Sequence, residues 1–435
     1  MTGFVFNHKE GNMTIAQILM VITLLLMISG KTPLYMTAII GSAIAAVVAG
    51  FPLTGGKDVV TITSFVVSGL NPVIADMAGV LMFIGIMERA GFLDVIVRWI
   101  IRVGRVLGGG AGVAVAGGIA AGVIGMLTGF TQPAITAVIT GIASTKMGVD
   151  PSKSAGIHGH AGHLGNYGGF THPTQVAVVA MAGIGFGVIN VVGIFVSLSI
   201  FACSLVRLKR EERKLKIQLT KEEMQKIAEE FETSDNKIPV WLAFLPFGVL
   251  FVGFVLGYPI FLIGVAAAIL TIILSKTPFA AGEAAMLQGV GRVATPLVAT
   301  IGFLFMSAVI KNVGLASLIG KTFMPILEVA PLQSMLFVSA IAGLITQSNA
   351  ASAAIVHPFL QATLGAGANP LAAACMAAGG SAIMQYFLTG GPIAALATVI
   401  PILPGSDLKI ANKFQRPSML FGVLVLFVLS FVLNL

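Results

Sequence analysis

Five of the six histidines in this 435-residue chain, His158, His160, His163, His172 and His357, lie in segments that are otherwise apolar or rich in glycine. The spacing His158-x-His160-x-x-His163 offers the ring types of a zinc site. Positions i and i+2 of a helix diverge by about 200°, however, so these three cannot share a face, and no metal site is expected. His172 differs in standing between Thr171 and Pro173, inside the run His163-Leu-Gly-Asn-Tyr-Gly-Gly-Phe-Thr-His-Pro-Thr-Gln175. Such a break in an apolar segment is a place for a histidine to titrate a proton or touch a substrate. His163, a turn earlier, is the second proton-coupling candidate; a buried structural histidine is the competing reading for either.

The remaining polar groups in apolar surroundings gather at four interruptions: Thr128–Pro133, Gly165–Thr174, Thr346–Ser352 and Tyr386–Pro392. They supply Thr131, Gln132, Asn166, Thr171, Thr174, Thr346, Gln347, Ser348, Asn349 and Thr389, with Gly390 beside the last. A broken helix exposes half-helix ends whose amino-terminal dipoles attract an anion, while the freed carbonyls can hold a cation. Some of these side chains then serve only as caps. None of the four breaks contains Asp or Glu, which weighs against a sodium–proton antiporter, since that exchange normally uses a membrane-embedded carboxylate. Nor does the chain hold a phosphate-binding glycine loop, a Ser-His-Asp set or paired carboxylates at catalytic spacing. Neither an enzyme nor an ATP-driven pump is expected, and no cofactor is implied.

The elements that carry these breaks must lie in a bilayer. Hydrophobic residues make up 57% of the chain and charged ones 10%, outside the range of soluble domains and fitting a polytopic membrane protein. The net charge of +8 sits in short basic runs between apolar segments, the mark of cytoplasmic loops and not of nucleic-acid binding. Cys203 and Cys375 both fall in apolar stretches and read as small core residues. The first apolar run, Thr14–Gly30, lacks a convincing cleavage site and reads as a retained helix, with Met13 as an alternative start.

In order, spans are expected at 14–30 and 34–52, an amphipathic stretch at 58–75, and a third span at 75–88. From Phe92 to Val103 the arginines oppose Leu93, Val97 and Ile101, the pattern of a surface helix on the cytoplasmic side. A re-entrant hairpin at 108–146, a broken helix at 154–187 and a closing span at 187–205 complete a first repeat over 1–206. Residues 207–238 hold eight of the seventeen acidic and nine of the twenty-five basic residues, and so read as a solvated cytoplasmic linker. A second repeat over 239–435 follows the same order, with a pair at 239–256 and 258–275, a span at 296–311, a hairpin at 331–364, a broken helix at 369–404 and a last span at 417–434.

A shift of 219 residues brings Pro151 onto Pro370, Asn166 onto Gln385, Tyr167 onto Tyr386 and Pro173 onto Pro392. Counting spans from the basic runs gives the two repeats opposite topologies, with both termini outside. Inverted repeats with interrupted helices in matching positions point to a secondary transporter whose site lies near the membrane midplane.

This layout resembles the ion transporter superfamily of citrate–metal, gluconate, C4-dicarboxylate and divalent anion–sodium symporters. Ser348-Asn349-Ala350 is similar to the Ser-Asn-Thr hairpin-tip motif of the divalent anion symporters, although the first tip departs from it as Thr131-Gln132-Pro133. His172-Pro173 is similar to a break in the proton-coupled gluconate permeases. The resemblance implies a homodimer in which a scaffold of paired spans supports a transport domain of hairpins and broken helices, moving as an elevator. The expected function is secondary transport of a small organic anion, a carboxylate, coupled to H+ or Na+, in a bacterial inner membrane. An Na+/H+ antiporter and a carrier of a neutral solute or amino acid are the alternatives.

Overall fold

The computed structural model describes residues 3–29, 31–56, 59–68, 72–128, 131, 133–215, 222–223, 226, 238–256, 258–291 and 294–433. Among them every regular element is helical. The chain is a polytopic membrane protein. Among the described residues four helices are long and apolar enough to cross a bilayer, Gly11–Ser29, Gly108–Leu127, Val188–Lys214 and Leu408–Val432, with a fifth if the bent pair Ile301–Asn312 and Leu315–Phe323 forms one span.

The first half begins with α1 (Gly3–Ser29), α2 (Leu34–Val48), α3 (Ile62–Ser68) and α4 (Pro72–Arg89). α5 (Phe92–Thr128) kinks at Gly108 and Gly109, and Gly109 adopts φ 59°, ψ −139°, a conformation a side chain would oppose. The kink separates the arginine-bearing surface segment from an apolar limb. Packed along that limb are α6 (Pro133–Thr136), a π-helical turn (Ala137–Gly141) and α7 (Ile142–Lys146). Residues 129, 130 and 132, and with them the expected site residue Gln132, lie outside the described residues. Next come α8 (Pro151–Gly159), α9 (Gly162–Gly168), α10 (Pro173–Ala182) and α11 (Val188–Leu215). The broken segment is thus interrupted twice, at His160–Ala161 and at Gly169–His172, where the sequence suggested a single break. α11 also carries the first nine residues of the expected linker, and most of the remainder lies outside the described residues.

The second half contributes α12 (Val240–Val255), α13 (Ile260–Leu274), α14 (Phe279–Gly291), α15 (Ala294–Asn312) and α16 (Leu315–Leu327). Its hairpin is α17 (Pro331–Thr346) and α18 (Asn349–Gly365), and its broken segment α19 (Pro370–Met384) followed by α20 (Ile393–Val399). α21 (Leu408–Val432) closes the chain and starts nine residues before the expected 417, so Lys409, Lys413 and Arg416 lie on this helix and not in a loop.

The two halves use the same local devices. Asp150 caps α8 by accepting from Lys153 N at 3.1 Å, with Pro151 at the first helical position. Asn369, 219 residues on, caps α19 by accepting from Ala372 N at 3.1 Å, followed by Pro370. Packing is reciprocal as well: α4 lies on α13 and α14 of the second half, while α15 lies on α2 and α3 of the first. Close backbone approach makes the former possible, since a Cβ on Gly79 would stand 2.5 Å from Phe261 Cα and one on Gly85 2.2 Å from Ala285 O. Small residues at such contacts let helices meet without a hydrophobic driving force from lipid. In each half the first hairpin limb also packs on the broken segment, α5 on α9 and α17 on α19.

Candidate substrate site at the converging breaks

The second tip is built by a left-handed turn. Gln347 ends α17 with φ 52°, a conformation costing a side-chain-bearing residue about 1–2 kcal/mol. Ser348 then caps α18, its Oγ accepting from Ala351 N at 3.2 Å. Thr346 stays within the tip, donating to Ala342 O at 2.8 Å or to Ser348 O at 2.9 Å.

Asn349, the first residue of α18, is the hub. Its backbone N–H donates to Gln385 Oε1 at 2.9 Å, and its Oδ1 accepts from Ser381 Oγ at 2.9 Å. Its Nδ2 lies 3.3 Å from His172 Nδ1, and Thr174 Oγ1 donates to its carbonyl at 3.2 Å. The second tip thus meets both breaks, through His172 and Thr174 on one side and Gln385 on the other. Gly390 and Gly391 complete the approach: a Cβ at Gly390 would lie 2.3 Å from Gln347 Oε1, and one at Gly391 1.7 Å from Gln385 O.

Tyr386, next to Gln385, reaches the first half. Its hydroxyl accepts from Asn166 Nδ2 at 3.2 Å and shares a hydrogen bond with Thr131 at the first tip. A methyl on Gly162 would stand 1.8 Å from that hydroxyl, so glycine is required there. Thr131, Asn166 and Tyr386 therefore form one cluster, and His172, Thr174, Gln347, Asn349 and Gln385 a second. Consecutive residues of the second break join the two clusters.

Other expected residues turn elsewhere. Thr171 Oγ1 lies 3.5 Å from Met126 O on the first hairpin limb, and Thr389 Oγ1 donates to Asn412 Oδ1 at 3.4 Å. The three clustered histidines diverge across the interruption at His160–Ala161, His158 toward Thr140, His160 toward Asn412 and His163 onto the ring of Phe201. His357 packs edge-on to Phe303, away from the breaks.

Gln385, Tyr386 and Arg416 join the site without having been among the residues expected there from the sequence. Arg416, half-buried on α21, donates to Phe387 O at 3.0 Å and to Asn412 Oδ1 at 3.0 and 3.2 Å. An arginine therefore stands beside the second break. The 219-residue register marked Gln385 and Tyr386. An apolar cavity of about 270 Å³ lies behind Phe170 and Met126, against Phe247 and Ile260. Its one amide, Asn190, is engaged by Gly187 N and the carbonyls of Gly168 and Gly169, so the cavity offers an anion nothing.

No family model matches the chain, and no curated protein matches it. Solved structures do. The fold is that of known membrane transporters. The chain is similar to the Alcanivorax borkumensis YdaH transporter, with 16% sequence identity and a TM-score of 0.60 over 96% of this chain and 98% of that one. It is also similar to Neisseria gonorrhoeae MtrF, of a class of antimetabolite efflux pumps, with 14% identity and a TM-score of 0.53 over 95% of this chain and 94% of that one. At these identities the likeness is one of fold.

Proposed function

We propose that the protein is a secondary active transporter of a small organic anion, a carboxylate, coupled to H+ or Na+. The observation that carries this reading is the meeting of hairpin tips and helix breaks at Asn349, Gln385 and Tyr386. The amino-terminal ends of α10 and α18 and the Arg416 guanidinium favour a negative guest, while side-chain amides and hydroxyls supply orientation. Thr131, Asn166, His172, Thr174, Gln347 and Asn349 are the contacts we assign to it, with Gln385 and Tyr386 added. The transporter fold shared with YdaH and MtrF supports transport as such. Likeness to an efflux pump supports export as the alternative direction.

The matched caps and reciprocal packing favour two repeats of opposite topology, 1–206 and 239–435, joined by a cytoplasmic linker. The hairpins and broken segments would move against a scaffold of paired spans, as in the ion transporter superfamily, within a homodimer of the bacterial inner membrane and with both termini outside. Reconstituted protein should accumulate a labelled carboxylate such as succinate or citrate when a proton or sodium gradient is imposed. Failure with either gradient and in counterflow would remove this reading.

A further inference from the structure

His158 stands outside the substrate site, on α8, with its ring fully buried. Its Nδ1 lies 2.9 Å from the carbonyl of Ser154 and so carries a hydrogen in every protonation state. Its Nε2 lies 2.8 Å from Thr140 Oγ1, and the same hydroxyl lies 2.7 Å from the carbonyl of Thr136. Thr140 has one hydrogen and two acceptors for it. When the hydroxyl donates to Nε2 the imidazole is neutral; when Nε2 is protonated it donates to Oγ1, and the hydroxyl turns to the Thr136 carbonyl. Both states keep both ring nitrogens partnered, so the hydrogen bonds around the ring survive the gain of a proton through rotation of one hydroxyl.

Two further features set this pair apart. Thr140 lies in the π-helical turn, and such turns recur at functional sites. Gly117 of α5 presses on the pair: a Cβ there would be 1.9 Å from Thr140 Oγ1 and 2.4 Å from His158 Nε2. The pair belongs to a polar column. On one side Ser144 and Ser154 hydroxyls meet at 2.9 Å and Ser152 Oγ accepts from Asp407 N at 2.9 Å. On the other, Gly162 lies one turn beyond His158, against Tyr386 and Thr131.

We propose that His158, with Thr140 as its exchange partner, is the proton-binding site that couples transport; this rests on the transporter reading above. The earlier candidates are less suited. His172 Nδ1 faces the Asn349 amide Nδ2, which has no lone pair to receive a proton, and among the described residues His163 Nδ1 has no hydrogen-bond partner.

The titratable neighbours are few. On its own helix His160 is held by Gly156 O and Asn412, Lys153 is paired with Glu211, and Asp150 is the cap. On α21 Arg416 is held by Phe387 O and Asn412, while Lys409 and Lys413, like Lys146 on α7, are exposed. On α5, Asp94 and Arg98 pair with each other before the kink, in the segment that also bears Arg102 and Arg105; α6, α20 and the π turn carry no titratable group. Among the described residues no carboxylate hydrogen-bonds His158. The charge of its protonated ring is then balanced by the carried anion, and each raises the affinity of the other.

The test uses the full chain in proteoliposomes, with labelled succinate and citrate, comparing accumulation driven by a pH gradient with gradient-free counterflow. His158→Gln should lower driven accumulation by about tenfold or more, within the usual range of coupling between sites, and leave counterflow at saturating label near the wild-type rate. Thr140→Val should reproduce this and Thr140→Ser restore driven uptake. Driven accumulation that persists in His158→Gln or Thr140→Val overturns the proposal, as does wild-type accumulation that ignores the pH gradient while counterflow proceeds. Wild-type protein showing no counterflow with either anion would instead remove the transporter reading, and the proton site with it.

Discussion

Asn166 donates its side-chain amide to the hydroxyl of Tyr386 at 3.2 Å, joining the break of the first half to that of the second across 220 residues of sequence. Its register mate Gln385 performs the corresponding task at the other tip, accepting from Asn349 N. Residues 219 apart thus do related work in different contacts, Asn166 between the two breaks and Gln385 at the second tip.

Tyr386→Phe removes the hydroxyl and keeps the ring. One hydrogen bond of this kind is worth about 1 kcal/mol net, and an unmet partner left behind about 1–3 kcal/mol. We expect weaker substrate binding by roughly fivefold or more, on the scale of about 1.4 kcal/mol per decade. Tyr167, its register mate, donates to Cys375 O at 2.9 Å in the buried core. Tyr167→Phe should lower the melting temperature in detergent and leave affinity unchanged. Equal effects of the two changes on affinity would count against placing the site at Tyr386.

Asn349→Asp keeps the shape of the side chain but replaces the amide that faces His172 with a carboxylate oxygen. A negative charge at the amino-terminal end of α18 competes with an anionic guest for the same helix dipole. Uptake of the labelled carboxylate should be lost while the protein remains monodisperse and folded. Unchanged uptake would show that the second tip does not hold the anion.

Arg416→Gln retains donors toward Phe387 O and Asn412 but removes the charge. Transport should fall, with the loss seen in KM and little altered by ionic strength, because the guanidinium is half-buried and weakly screened. Arg416→Lys should rescue only in part, since the ammonium lacks the planar fork that spans both acceptors. Full activity in Arg416→Gln would reduce the residue to a structural clamp.

Gly85→Leu tests the packing without touching the site. The helices meet too closely at Gly85 for even a methyl group, which would stand 2.2 Å from Ala285 O. Overpacking typically costs about 1–3 kcal/mol, more where backbone is the obstacle. Thermal melting should show the loss, whereas Gly183→Leu, with nothing within 4 Å of its Cβ position, tests only the left-handed conformation there, φ 65°.

Much of this arrangement was legible in the residues. Glycine, proline and polar clusters within apolar runs marked all four breaks, because nothing else favours them in lipid. The register that paired Pro151 with Pro370 also paired the caps Asp150 and Asn369, which the structure shows doing the same work. Direction was not legible. Thr389 sits in a break yet turns to Asn412, and Arg416 reads as a loop charge because polar residues at the start of α21 hide its helical phase. The second interruption at His160–Ala161 has no proline to announce it. The pairing of His158 with Thr140 depends on how the hairpin folds back on α8, which no local pattern encodes.

The most direct measurement is uptake of labelled succinate and citrate by the reconstituted protein, with proton and sodium gradients imposed one at a time. Saturable accumulation above equilibrium, driven by one of these gradients and weakened by Tyr386→Phe, is the predicted result. Sodium-driven proton movement in the absence of any organic anion, with no accumulation of either label, would contradict it.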